Sequence, residues 1–264
     1  MPILIHVLAA GLYAAAAWAR WPAASRAEPS LAATWLPPLA LAVHAVALVP
    51  AIATPQGLDI SLANAISLVA ALCVLVAWLT GFLRTLPGSA AIVLPVAAVA
   101  ALLPALFADP HRFPYAERPW AAAHIAVALL AYACLLVAAV TALLMTGLEK
   151  RLHRGVATGD GSTPPLLTLE RYLFRLVVAG FVLLTLALAS GVMFSEQVFG
   201  KPLTLTHKSL FSMLAWLVFG ALLLGRWRFG WRGRQAANWI VAGSLLLVLA
   251  YLGSKFVLEV LLGR

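Results

Sequence analysis

Four histidines lie within strongly apolar stretches of the sequence, and they are its most informative polar residues. They are His6, His44, His124 and His207. Ionisable side chains are costly inside a bilayer, so those found there are candidates for function. Neutral imidazoles on different helices of a bundle can bind both axial positions of a haem iron. Haem is therefore the first ligand to consider.

The other reactive residue types suggest no competing ligand set or catalytic group. Cys73 and Cys134 are isolated within apolar runs, without the spacing of a haem-attachment motif, a zinc knuckle or a disulfide framework. The sequence contains no phosphate-binding glycine loop, no paired carboxylates within an apolar run and no His-Glu-x-x-His. We therefore expect a protein that is not an enzyme.

The neighbours of His124 and His207 could complete a haem site. Trp120 and Tyr132 lie one turn before and two turns after His124, where they could offer a porphyrin an aromatic wall. Lys208 could neutralise a haem propionate. The alternative is an interfacial tryptophan and lysine beside histidines that bond within the bundle. We predict His124 and His207 as iron ligands in a haem site drawn from His124, His207, His44, Trp120, Tyr132 and Lys208.

The composition predicts an integral membrane protein. Hydrophobic residues make up 64% of the sequence and charged residues 10%, whereas soluble domains are roughly half apolar and a quarter charged. A spanning helix needs ~20 apolar residues, and the long unbroken runs indicate helices rather than the alternating strands of a barrel. We predict a single all-α polytopic helical bundle of about eight transmembrane helices. The expected spans are 3–19, 34–52, 64–83, 89–107, 119–148, 172–194, 206–225 and 236–260.

The distribution of positive charge predicts the orientation. The formal net charge is +9, and most Lys and Arg residues fall in alternate connections. By the positive-inside rule these connections are cytoplasmic, so both termini face outward. The first span should be a retained helix rather than a cleaved signal, because Arg20 follows it instead of preceding it. The Arg- and Trp-rich run 226–234 is then a cytoplasmic anchor that contacts the lipid bilayer, not nucleic acid.

This orientation places the candidate histidines in the outer half of the membrane. His6, His124 and His207 fall near the outer ends of their spans. His44 lies about eight residues, or ~12 Å, from the outer end of the second span. At that depth it could be a further ligand, a partner of a ligand or a helix-packing residue.

Two connections carry enough proline, glycine and charge to interrupt the helices. The segment 149–171 is predicted to be a cytoplasmic linker, a hinge or a plain connection, between a five-helix part and a three-helix part. Within it begins a predicted short interfacial helix, Leu166 to Arg175, that leads into the sixth span. The outer loop 108–119 could cover a site near the outer surface or simply connect two spans.

Several segments resemble the cytochrome c assembly (CcsA-like) family of haem-handling membrane proteins. The segment WAAAHIAVALLAYAC at 120–134 is similar to that family's histidine-led helix, and a second similar stretch runs from LTLERYLF at 167–174 to LTLALASG at 184–191. The segments HKSLFSMLAW at 207–216, GWRGR at 230–234 and AYLGSK at 250–255 resemble the family's short eight-helix YpjD/HemX-type branch. The resemblance covers nearly the whole chain and is strongest from residue 120 onward.

The resemblance implies a multi-pass protein of the bacterial inner membrane that binds haem and supports cytochrome c maturation. It implies haem ligation at His124, while His207 and His44 match the short branch without an assigned role. Expected partners are haem and other membrane proteins of cytochrome c maturation or the haem pathway. Family members that present haem carry a tryptophan-rich external segment with a Trp-Asp core. Segment 194–206 lacks that core, so haem lyase activity is not implied.

Two functional hypotheses therefore stand. The first is a non-catalytic protein that holds haem by two histidines near the outer face. The second is a regulatory or scaffold membrane protein that influences haem synthesis or an associated transporter through its cytoplasmic loops. Transport of a solute or metal ranks last, because the cytoplasmic half of the spans offers almost no polar pathway.

Overall fold

Apolar runs rich in Ala, Leu and Val form the helices of this protein. Its computed structural model describes residues 2–20, 31–54, 57–83, 89–107, 112–113, 119–154, 166–193 and 207–253. Within these residues eight helices have 12 to 35 residues each. The helices are α1 Pro2–Ala19, α2 Leu31–Ile52, α3 Leu62–Leu83, α4 Ser89–Ala100, a short α5 Leu103–Leu106, α6 Pro119–His153, α7 Leu166–Met193, α8 His207–Phe229 and α9 Gly233–Val248. A π-helical segment, Leu249–Gly253, continues α9.

The exterior of the bundle is apolar, as a bilayer requires. Six helices of the described part are long and apolar enough to cross a membrane by length and composition, and α1 is a shorter apolar helix. Leu4, Val46 and Leu224 are 70%, 63% and 58% exposed on three different helices. Helices satisfy every backbone hydrogen bond internally, which lipid demands. The chain is thus an all-α polytopic membrane bundle, as its composition predicted.

Helix α6 forms the centre of the bundle and packs against α3, α4, α7 and α9. Its contact with α7 is especially close at Gly180, where a Cβ atom would lie 2.6 Å from Cγ of Leu135. Small residues let membrane helices approach in this way. Fully buried α6 residues include Ala131, Ala133, Leu135, Val137, Ala138 and Ala142.

The predicted fourth span, 89–107, is interrupted rather than continuous. Helix α4 ends at Ala100, and α5 begins at Leu103 with Pro104 in its first turn. Pro104 has no N–H to donate to the carbonyl of Ala100, so a regular helix cannot continue there. The carbonyl of Ala101 accepts a hydrogen bond from Nδ1 of His6 at 2.8 Å. A buried histidine thus satisfies a backbone group at the break.

Helices extend into both ends of the predicted linker 149–171, and its role as a connection between two parts of the bundle stays a prediction. Helix α6 continues to His153. The positive charges of Lys150 and Arg151 in its last turn interact favourably with the negative end of the helix dipole. Helix α7 begins at Leu166 and is continuous, with no separate interfacial helix. Its 28 residues span about 42 Å, more than the ~30 Å hydrocarbon core. The central part of the predicted hinge, 155–165, lies outside the described residues.

A small antiparallel sheet joins two connections at one end of the bundle, and no sequence pattern predicted it. Strands β1 Ala53–Thr54, β2 Gly57–Asp59 and β3 Arg112–Phe113 pair in the order β1-β2-β3. They tie the α2–α3 connection to the segment between α5 and α6. Most of the loop 108–119 lies outside the described residues, so its role as a cover stays a prediction.

Candidate functional site

His124 lies in the second turn of α6 and faces the last turn of α7. Its side chain is partly buried. A Cβ atom on Gly191 of α7 would lie 3.3 Å from Cε1 of His124, so a larger residue would press on the imidazole. Because Gly191 has no side chain, there is room for the imidazole ring of His124 at this position.

A hydrogen-bond chain links His124 to the backbone of α7. Oγ of Ser190 lies 2.9 Å from Nδ1 of His124 and 3.1 Å from the carbonyl oxygen of Ala187. We assign the hydroxyl proton to the Ala187 carbonyl, and with that assignment Ser190 accepts the Nδ1–H of His124. The lone pair of the imidazole then lies on Nε2. Metal-binding histidines are held in this way, by a hydrogen bond at the nitrogen that does not bind the metal.

Lys208, at the start of α8, approaches the same end of α6. Its ammonium is near enough to His124 for an electrostatic interaction. Nζ of Lys208 also lies 5.1 Å from the ring centroid of Tyr251 in the π-helical segment. Tyr251 in turn makes an edge contact with Tyr132, with the ring centroids 5.9 Å apart. The hydroxyl of Tyr132 has Ser212 of α8 as a hydrogen-bond partner.

These contacts gather three of the six predicted haem-site residues, namely His124, Tyr132 and Lys208. They do not form the predicted aromatic wall, because Tyr132 is 7% exposed and packs inside the bundle, whereas Trp120 is 63% exposed. His207 is exposed at the first residue of α8, at the same end of the bundle as His124. The segment 194–206 that precedes it lies outside the described residues.

His44 lies in a different part of the molecule and uses both ring nitrogens for side-chain contacts. It is fully buried. Nδ1 lies 3.2 Å from the hydroxyl of Tyr13 on α1, and Nε2 lies 2.9 Å from Oγ of Ser67 on α3. This imidazole therefore ties three helices together. An iron ligand at His44 would have to displace one of these partners.

The donor set around His124 fits a porphyrin iron better than a bare metal ion. Among the described residues, no three His, Cys, Asp or Glu side chains come together as a metal site. A structural zinc site takes four protein ligands, and a catalytic one takes three. Haem iron needs only axial ligands from the protein. An imidazole whose Nδ1 is bonded to Ser190, as that of His124 is, could be such a ligand through Nε2.

Four residues of this cluster were missing from the predicted site, namely Ser190, Gly191, Ser212 and Tyr251. They lie far from His124 in sequence, and helical spacing along α6 gives no information about a neighbouring helix. A signal was nevertheless present. Ser190 and Gly191 end the segment LTLALASG, and Tyr251 lies in AYLGSK. Both segments belong to the stretches that resemble the assembly family.

Comparison with known proteins matches the chain to a family and to named relatives. The family model described as "Cytochrome C assembly protein" matches residues 33–262. The "Inner membrane protein YpjD" of Escherichia coli (strain K12) is 36% identical over 138 residues, which cover 52% of this chain and 52% of that protein. An "Uncharacterized 28.8 kDa protein in nifR3-like 5'region" of Azospirillum brasilense is 39% identical over 145 residues, 54% of each chain.

A more distant similarity links the chain to a named biogenesis protein. The "Cytochrome c biogenesis protein CcsA" of Prochlorococcus marinus (strain MIT 9303) is 28% identical over 166 residues, which cover 53% of this chain and 52% of that protein. The chain thus spans about half the length of the curated relatives it matches. No solved structure matches the chain.

Proposed function

The chain belongs to the cytochrome C assembly protein family, and we propose that it is a haem-handling protein of the bacterial inner membrane that supports cytochrome c maturation. The names of the relatives support both parts of this proposal. The Escherichia coli protein is named an inner membrane protein, and the Prochlorococcus protein a cytochrome c biogenesis protein. The single observation that carries the haem part is the contact of His124 Nδ1 with Ser190, which would leave Nε2 for the iron.

In this proposal His124 would hold the haem iron through Nε2, with Ser190 holding the imidazole by its Nδ1–H. His207 would be the second histidine to hold the iron, because it is the other candidate histidine at this end of the α6–α9 part. Bound haem would supply the iron and the porphyrin. By the positive-inside rule, the site faces outward. This is the side on which a protein that serves cytochrome c maturation would hold haem.

The chain holds its ligand rather than transforming it. The described residues around His124 are hydroxyls, a lysine and a buried tyrosine. They can orient a ligand and bind a charged substituent. The hydroxyl of Ser190 is within hydrogen-bond distance of His124, but in the assigned tautomer it accepts Nδ1–H and is therefore not activated as a nucleophile. We therefore propose a non-catalytic role.

A scaffold or regulatory role is the second candidate, and a surface at the opposite end of the bundle favours it. Trp227 and Phe229 are 82% and 72% exposed at the end of α8, beside the exposed Arg228. Exposed aromatics and arginine are enriched in protein interfaces. They also occur as membrane-interface anchors. In this role the histidines would be purely structural.

Complementation in the native host distinguishes the two roles. A strain that lacks the chain should contain less cytochrome c with covalent haem, measured by haem staining of membrane proteins after denaturing electrophoresis. The wild-type gene should restore the signal, and His124→Ala should not. His153→Ala is the matched control, because His153 is an exposed histidine at the opposite end of α6. Full restoration by His124→Ala at normal protein abundance would favour the scaffold role.

A further inference from the structure

The π-helical segment Leu249–Gly253 shapes the site next to His124. Short π-helical segments within or after α-helices are rare and often occur at functional sites. Here the segment carries Tyr251, whose ring meets Tyr132 of α6 with centroids 5.9 Å apart. Its ring is therefore placed between the end of α9 and the histidine-bearing helix.

Lys208 takes its position from Tyr251. A lysine at the end of a membrane helix ordinarily extends its ammonium toward water. In this structure Nζ of Lys208 lies 5.1 Å from the centroid of the Tyr251 ring, a cation–π distance. The same ammonium interacts electrostatically with His124. The ammonium is thus held over the Tyr251 ring, within electrostatic range of His124 on a different helix.

We propose that Lys208, positioned by Tyr251, binds a carboxylate of the ligand whose iron binds His124. This inference rests on the proposed function and specifies the ligand class, a metalloporphyrin with at least one free carboxylate. An ammonium has three N–H donors, so contact with a ring is compatible with a hydrogen bond to a carboxylate. Tyr251 is then a positioning residue, since it acts through Lys208 and not on the ligand.

The test compares two ligands that differ only in their carboxylates. The full chain, purified in detergent, is titrated with haemin and with haemin dimethyl ester, whose propionates carry no charge. Lys208→Gln should weaken binding of haemin about tenfold, as expected for a hydrogen bond between charged groups. The same substitution should change the affinity for haemin dimethyl ester less than twofold. Lys150→Gln is the matched control, an exposed lysine at the other end of the bundle, and should affect neither ligand.

The Tyr251 variants test the positioning step. Tyr251→Phe keeps a ring beneath the ammonium and should bind haemin like the wild type, whereas Tyr251→Leu should weaken haemin binding and spare the ester. Unchanged haemin affinity in Lys208→Gln, or equal loss for both ligands, would overturn the inference while leaving haem binding intact. A wild-type protein that binds neither ligand would instead overturn the proposed function itself.

Discussion

Ser190 determines how His124 presents its imidazole. Its hydroxyl lies within hydrogen-bond distance of Nδ1 of His124 and of the carbonyl of Ala187, and we assign it as the acceptor of the first bond and the donor of the second. Ser190→Ala removes the acceptor and frees the ring to rotate. Because loss of such outer-shell partners typically costs ~10–100-fold in metal affinity, we expect haemin to bind about tenfold more weakly, measured by absorbance titration. Ser190→Thr keeps the hydroxyl and should bind nearly as the wild type does. Equal affinity in wild type and Ser190→Ala would contradict this role.

The contacts of His44 favour a structural role, although the sequence predicted it as a haem-site residue. Its ring nitrogens contact Tyr13 and Ser67, and all three side chains are fully buried. His44→Ala therefore removes two interhelical hydrogen bonds. Each such bond contributes roughly 0.6 to 1.7 kcal/mol in a membrane protein, so the loss should be about 2 kcal/mol of unfolding free energy.

The His44 prediction can be checked by unfolding the purified protein in mixed detergent micelles while the haem spectrum is followed separately. Ser67→Ala breaks one of the two bonds and should lose about half as much stability. Both variants should keep a wild-type haem spectrum. Loss of the spectrum in His44→Ala, with unchanged stability of the haem-free protein, would make His44 a ligand.

The sequence identified His124 as a candidate functional residue but did not predict which side chains surround it. Its residue type and its place in an apolar run marked it as functional, since lipid makes an unpaired imidazole costly. Its partner Ser190 lies 66 residues away and could not be found from spacing along one helix. The same limit applies to His44, which the sequence left open between a ligand and a packing residue. Only its contacts with α1 and α3 show that both ring nitrogens are engaged.

At the scale of the helices, Glu170 holds α7 against the α8–α9 turn. Its carboxylate pairs with Arg226, and Nε of Arg232 lies 3.7 Å away. Arg226 also donates to the carbonyl of Trp231 and stacks 3.8 Å from the centroid of the Phe174 ring. The side chain of Glu170 is only 11% exposed. The pair therefore connects α7 with α8 and the turn that leads into α9.

Neutralising Glu170 should loosen this end of the bundle. Glu170→Gln leaves Arg226 partly buried without its counter-charge and should lower the unfolding free energy by about 2 kcal/mol. Thermal unfolding in detergent measures the effect. Arg175→Gln, on the exposed face of the same helix, is the control and should be nearly neutral. If Glu170→Gln unfolds like the control, the ion pair does not anchor these helices.

The lengths of the apolar runs predicted the helix boundaries well where proline, glycine or charged residues end the runs. They predicted them poorly where the helix continues beyond its apolar run. The runs near 3–19, 64–83 and 206–225 matched α1, α3 and α8 within a few residues. Helix α7 starts at Leu166, where the sequence predicted a short interfacial helix, rather than at residue 172, where the sixth span was predicted. Glu170, in this first part of the helix, pairs with Arg226, 56 residues away.

At the scale of the whole molecule, we expect the histidines on the two sides of α6 to have separate roles. On one side, His6 contacts the carbonyl of Ala101 between α4 and α5, and His44 contacts Tyr13 of α1 and Ser67 of α3. On the other, His124 of α6 faces α7, where Ser190 contacts its Nδ1. Helix α6 packs against both parts. We therefore propose stability as the role of the first group and ligand binding as the role of His124.

An absorption spectrum tests that division most directly. The full chain is purified in detergent from haem-replete cells and measured oxidised and reduced, beside His124→Ala, His207→Ala and His44→Ala. We predict a low-spin, six-coordinate haem spectrum that is lost in the His124 variant, altered in the His207 variant and kept in the His44 variant. A wild-type protein without haem, still empty after haemin is added, or a spectrum unchanged in His124→Ala, would contradict the account.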